Sequence, residues 1–335
     1  MEPSLLEFFS KKQGPFKHMV YRDYQGNIRS HEARSSKPVT VSLPTPQHQL
    51  FSGKNYRYPF VRNKHFATVV TEFGCPFHCA FCVMGTLGCK RRPVEDVMQE
   101  LDSLAKLNIR DVFFLDQTFG SKQERNLQLC EAISNQHPKL RWVCFSRVDV
   151  VNERILREMK NAGCHTIIFG VETASPDLLK QYRKGYTLDQ VVDVFLIAQR
   201  LGIRTVATFL LGLPGETWQS ALNTIDFARR LPCSYASLNV AVPRMGTDLR
   251  QFAIDKGYVD SEITEFDQSG SSVVMQTDSL RADQLARLKK IAVKSLYLSP
   301  GKLLKILLSL RSIDEFLIHC TEGFHLLKRL IRRKD

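Results

Sequence analysis

A chain of 335 residues with 43% hydrophobic and 24% charged residues is long enough for one large domain, or one domain with extensions, and is not disordered or fibrous in composition. Nine cysteines over this length do not make a small disulfide scaffold, and no run of eighteen uncharged apolar residues offers a membrane-spanning helix. The net charge of +13 gathers at the ends, eleven Lys or Arg against four Asp or Glu in residues 1–66 and eight against four in 300–335, which suits either an anionic partner or a plain solvated surface.

The start, MEPSLLEFFSKKQG, lacks the basic, apolar and small-residue order of a secretory signal, so the cytoplasm is the expected location. Residues 1–65 show little periodicity and carry Pro38, Pro44 and Pro46; they read as an extended arm, with a short strand near His18–Tyr21. A repeating order begins at residue 66. Ala67–Thr71 reads as a strand, and Pro93 opens a helix to Leu107. Asp111–Leu115 is the second strand, and Ser121 is the expected N-cap of a helix to Asn135. Leu140–Phe145 is the third strand, followed by a helix over Asn152–Ala162 that Gly163 ends. His165–Gly170 is the fourth strand, with helical stretches at Ser175–Arg183 and Thr187–Leu201. Ile203–Leu211 is the fifth strand, Glu216–Leu231 the next helix and Tyr235–Val242 the sixth strand. Beyond Arg250 the pattern is helical: Ser279–Leu298, then two basic amphipathic stretches at Lys302–Leu310 and Ile313–Arg332.

Strands alternating with helices make parallel βα units with right-handed crossovers, either an open doubly wound sheet or a barrel. In both, chemistry belongs at the C-terminal ends of the strands. The first of those loops carries Cys75-Pro-Phe-His-Cys79-Ala-Phe-Cys82, a C-x3-C-x2-C spacing. Thiolates at three corners of a four-iron cluster leave one iron open to a ligand. A zinc site with Cys89 as fourth ligand is the alternative, though zinc is usually held by C-x2–4-C pairs.

With Phe81 before its last cysteine, the motif resembles the radical S-adenosylmethionine (SAM) signature. The likeness extends over residues 65–250 through TEFGCPFHCAFC, FFLDQTF, Arg147–Asp149, MKNAGCHTIIFGVETAS, KGYT, FLLGLPGET and PRMGT. It is nearest to the cobalamin-dependent type, including enzymes like the anaerobic magnesium-protoporphyrin ester cyclase and hopanoid-modifying enzymes. The resemblance implies an α/β fold: a partial (β/α)6 TIM-like barrel over 66–250, an N-terminal extended arm over 1–65 and a C-terminal helical extension over 251–335.

It further implies that Cys75, Cys79 and Cys82 hold a [4Fe-4S] cluster whose open iron takes SAM. Asp116, Gln117 and Thr118 would meet the SAM amino group. Arg147 would meet a carboxylate or phosphate, with a structural ion pair as the alternative. Glu172, Thr173 and Ser175 would lie on the ribose and methionine side, although Thr173 and Ser175 also suit helix capping. Gly212, Phe81 and Val240 complete the cofactor set, the last flanking adenine. An electron donor of the flavodoxin or ferredoxin type is implied. No cobalamin-binding domain is read ahead of the cysteines, so cobalamin is expected only through a partner protein.

The expected reaction is hydrogen abstraction followed by rearrangement, cyclisation, oxidation or methylation of a small-molecule or lipid-like intermediate, with peripheral membrane contact through the basic C-terminal helices. The competing readings are methyl or methylthio transfer to RNA, for which no aromatic RNA-binding module is read, and a non-catalytic zinc-stabilised binding subunit.

Overall fold

The computed structural model describes residues 20–23, 25–30, 39–51, 56, 58, 60, 61, 63, 65–263, 273–297, 316 and 321. The amphipathic stretches expected at 302–310 and 313–332 lie outside the described residues, apart from isolated positions. No helix among the described residues is long and apolar enough to cross a membrane.

In chain order, β1 (Val20–Arg22) and β2 (Ile28–Ser30) pair as an antiparallel hairpin, close to the expected strand, and β3 (Val39–Thr40) follows. The central sheet starts at β4 (Phe66–Val69). Two short strands unforeseen in the sequence, β5 (Glu72–Gly74) and β6 (Cys89–Arg91), pair antiparallel. Then come α1 (Val94–Lys106), β7 (Asp111–Phe114), α2 (Gln123–Gln136), β8 (Arg141–Ser146), α3 (Glu153–Asn161), β9 (Cys164–Glu172), α4 (Pro176–Gln181) and α5 (Leu188–Arg200). β10 (Arg204–Leu211), α6 (Trp218–Arg230), β11 (Tyr235–Val240), α7 (Asp248–Asp255) and α8 (Ala282–Tyr297) complete the order.

Six strands form one parallel sheet in the order β4-β7-β8-β9-β10-β11. The order is sequential, with no reversal. Right-handed crossovers that all step the same way put every crossover helix on one face and leave the other face concave. This is the partial barrel, not the doubly wound sheet. β4 and β11 are the two ends of the sheet and are not paired to each other.

Local grammar explains most boundaries. Asn152 caps α3, its side chain accepting from the Ile155 N–H at 3.0 Å, and Thr187 with Gln190 forms a capping box on α5. Gly163, at φ +94°, ends the turn after α3 where a Cβ would stand 2.0 Å from the Leu140 carbonyl oxygen. Ser121 departs from expectation. Lys122 occupies the cap position of α2 without a side-chain bond, because the Ser121 hydroxyl is bound to Glu72 at 2.6 Å.

β7 is buried along its whole length and β9 nearly so, which is why their sequences run apolar rather than alternating. On the helical side Trp142, Phe114 and Phe119 pack against Leu129, Ile133, Leu156 and Phe195. Full burial of each such side chain stabilises by about 1.5–3 kcal/mol. On the concave side Phe113, Val143, Ile168, Val206 and Tyr235, from five strands, meet Tyr58, Phe60 and Val61 of the N-terminal arm. Tyr58 stacks on Phe113 at 4.6 Å between centroids. The arm thus fills the floor of the barrel and leaves the C-terminal ends of the strands as its mouth. A cleft of about 1010 Å³ runs beside β4, lined by Phe66, Thr68, Val70 and Phe73 and by Tyr56 and Tyr58 of the arm.

Candidate active site at the mouth of the barrel

The cysteine loop is closed at its base by β5 and β6, where Gly74 faces Cys89. That closure needs glycine. Gly74 has φ +71°, and a Cβ there would lie 1.8 Å from the Gly88 carbonyl oxygen. Backbone bonds pin the far side: Ala80 N–H donates to Tyr182 O at 3.2 Å, and Leu249 N–H donates to Ala80 O at 2.9 Å. The loop is tied in this way to the ends of α4 and α7.

Two of the thiols meet groups from strand ends. Cys75, buried, lies 3.4 Å from the Thr118 hydroxyl after β7. Cys79 accepts from Arg147 Nη1 after β8 at 3.2 Å. Burial pushes the Cys82 thiol up; Cys79 and Cys75 add to the rise, while Arg244, after β11, opposes it. The three thiols are therefore electrostatic neighbours. Among the described residues no three His, Cys, Asp or Glu side chains converge tightly enough to chelate a single ion. A cubane does not ask for that convergence, because each thiolate binds a separate iron.

Cys89 is set apart from these three. Its thiol donates to Glu72 at 2.6 Å, and burial with that carboxylate pushes its pKa up to about 12. A neutral thiol is a poor metal ligand and nucleophile.

Asp116 is wholly buried, and both its oxygens are taken. They accept from Thr71 N–H at 2.6 Å, Thr71 Oγ1 at 2.6 Å and Glu72 N–H at 3.1 Å. Burial raises its pKa to about 6 against those bonds. The carboxylate expected toward SAM instead fixes the chain entering the cysteine loop. Gln117 stands exposed beside it.

Arg147 is also engaged. Nε and Nη2 grip Asp149 at 2.9 and 2.7 Å, Nη2 donates to the Lys184 carbonyl, and the plane lies 3.9 Å from the Phe77 ring centre. The ion-pair alternative describes it; no fork remains for an incoming carboxylate.

Glu172 ends β9 with φ +67°, a strained conformation for a non-glycine residue. It pairs at 3.0 Å with Lys184, which is 4% exposed. Burial works against the Lys184 charge, yet Glu172, Tyr186 and Cys79 together outweigh it and its pKa rises. The ammonium also lies 5.6 Å from the Phe81 ring centre. Lys184 was not singled out from the sequence, although it stands in the KGYT motif.

Ser175 caps α4, its Oγ accepting from Leu178 N–H at 3.4 Å, and Thr173 Oγ1 holds the turn before it by accepting from Ser175 N–H at 3.1 Å. Gly212, at φ +82°, donates its N–H to Glu216 at 2.5 Å. Glu216 therefore folds back into the loop rather than opening α6, whose cap is Thr217. Burial raises the Glu216 pKa to about 7. The Val240 side chain packs with Leu211, Leu285 and Leu288 on the helical side, so it does not present itself to the concave face.

A sequential partial barrel with a cysteine loop over its mouth defines a class, and residues 69–228 match the model of the radical SAM superfamily. That stretch is a radical SAM domain, an enzyme domain whose family works with a [4Fe-4S] cluster and SAM. The chain is 32% identical over 288 residues to an uncharacterized methyltransferase of Pyrococcus horikoshii, covering 84% of this chain and 61% of that protein. It is 27% identical to the tRNA-2-methylthio-N(6)-dimethylallyladenosine synthase of Petrotoga mobilis, covering 58% of this chain and 47% of that protein. The chain thus spans about half to three fifths of these relatives' lengths. In fold it is similar to the cobalamin-dependent SAM radical enzyme OxsB, solved with aqua-cobalamin and SAM bound, at TM-score 0.67 and 16% identity, covering 98% of this chain and 54% of that one.

Proposed function

We propose that Cys75, Cys79 and Cys82 hold a [4Fe-4S] cluster and that the chain uses it with SAM to modify a small-molecule or lipid-like intermediate, with methyl transfer as the favoured outcome. The observation that carries the reading is the placement of the three thiols. They share one pinned loop at the C-terminal mouth of a radical SAM domain, where Cys75 and Cys79 meet polar side chains from the ends of β7 and β8 and Cys82 is their electrostatic neighbour. When bound, the cluster and SAM supply a 5′-deoxyadenosyl radical by one-electron cleavage of a carbon–sulfur bond.

The chain's own residues orient and shield. Asp116 and the β5–β6 ladder set the loop's entry and exit. The ion pair of Glu172 and Lys184 places a fixed, buried dipole beside Phe81. The floor of Tyr58, Phe60 and Val61 keeps water from below the concave face. Residues 66–250 carry this chemistry, and 1–65 and 251–335 flank it. Methyl transfer is favoured by the likeness to the Pyrococcus methyltransferase. Cobalamin is a second cofactor to test, supplied from outside residues 66–250, because the OxsB fold likeness is to a protein solved with aqua-cobalamin.

The experiment is anaerobic reconstitution with iron and sulfide. Reduced protein with SAM yields 5′-deoxyadenosine, and Cys79→Ala abolishes it. Protein that stays colourless after loading, or holds tight zinc, refutes the reading. RNA is the second substrate to test, on the likeness to the Petrotoga enzyme; salt-dependent binding of tRNA at physiological ionic strength would favour it.

A further inference from the structure

We infer that Arg147 is a positioning residue that tunes the reducibility of the iron–sulfur cluster through Cys79; this rests on the proposed cluster ligation. A guanidinium has five N–H donors. In Arg147 four are committed: two to Asp149, one to the Lys184 carbonyl and one to Cys79 Sγ. The plane is clamped between Phe77, 3.9 Å from its ring centre, and Tyr186 at 5.5 Å. The side chain is 7% exposed. A fork held on so many sides cannot swing to meet a substrate, but it holds one charged donor steadily on one sulfur.

Among the described residues, Arg147 gives one of the three thiols a charge-assisted hydrogen bond, whereas Thr118 offers a neutral hydroxyl and Arg244 acts by charge alone. Hydrogen bonds to cluster sulfurs and nearby charge are established levers on reduction potential. The reduced cluster carries one more negative charge, so a cationic donor favours reduction, and Asp149, two residues along, tempers that cation. The pair therefore makes two predictions of opposite sign.

The test is a redox titration of the reconstituted protein, with the cluster's electron paramagnetic resonance signal as readout. Arg147→Gln lowers the midpoint potential, Asp149→Asn raises it, and Arg147→Lys falls between wild type and Arg147→Gln. A tenfold change in the reduction equilibrium, about 59 mV for one electron, is the expected scale for loss of a bond to a charged group. Loosened packing alone would not give the two substitutions opposite signs. If Arg147→Gln fails to retain iron, Asp149→Asn decides. An unmoved or lowered potential in Asp149→Asn, with iron content and signal intact, overturns the inference. Absence of the signal in the wild-type protein overturns the cluster assignment instead.

Discussion

Asp116 offers the cleanest quantitative test of how the loop is built. Burial has moved its pKa from 3.8 to about 6. Its carboxyl therefore holds a proton more tightly folded than unfolded. The stabilisation this brings is whole below pH ~4 and is lost as pH rises through about 6. Two pH units at 1.36 kcal/mol each amount to about 3 kcal/mol. Asp116→Asn cannot ionise, and its Oδ1 can still accept from the Thr71 and Glu72 N–H groups that Asp116 now holds. The stability of Asp116→Asn relative to wild type should then climb by about 3 kcal/mol between pH 4 and pH 7. Taking this difference cancels the carboxylates that both proteins share. The assay is urea unfolding of the metal-free proteins at four pH values, read by fluorescence of the buried Trp142. A difference that stays flat or falls with pH refutes the account of Asp116 as a buried, strained carboxylate.

Gly74→Ala should open the β5–β6 ladder, since its Cβ meets the Gly88 oxygen at 1.8 Å; reconstituted iron should fall below half of the wild-type level, whereas Gly26→Ala, with nothing within 4 Å, should leave iron intact. Cys89, with a pKa near 12 and a carboxylate on its thiol, should be alkylated at least about a hundredfold more slowly than half-exposed Cys79 in metal-free protein at pH 8. Mass-spectrometric mapping of iodoacetamide adducts checks this, and equal rates would contradict it.

The six strands and their helices were legible because buried parallel strands run apolar and each unit ends in a turn residue such as Gly163 or Gly202. The β5–β6 pair was not, because three residues carry no periodicity and the pairing depends on two glycines fourteen positions apart. The types of Asp116 and Arg147 drew attention, but their partners come from elsewhere in the fold: Thr71 for one, Cys79 and the Lys184 carbonyl for the other. Lys184 went unremarked because a loop lysine reads as solvated, and the pairing with Glu172, with the rings of Phe81 and Tyr186 beside it, makes its burial tolerable. Val240 was readable after all. Alternation along β11 puts it on the face of Ala236, which is buried against the helices, and not on the face of Tyr235.

The aromatic floor supplied by the arm makes the barrel a blind well. Among the described residues, Tyr58, Phe60 and Val61 cover the concave face from below and β4 and β11 are not paired to each other, so the approaches left to that face are the rim and the side between those two strands.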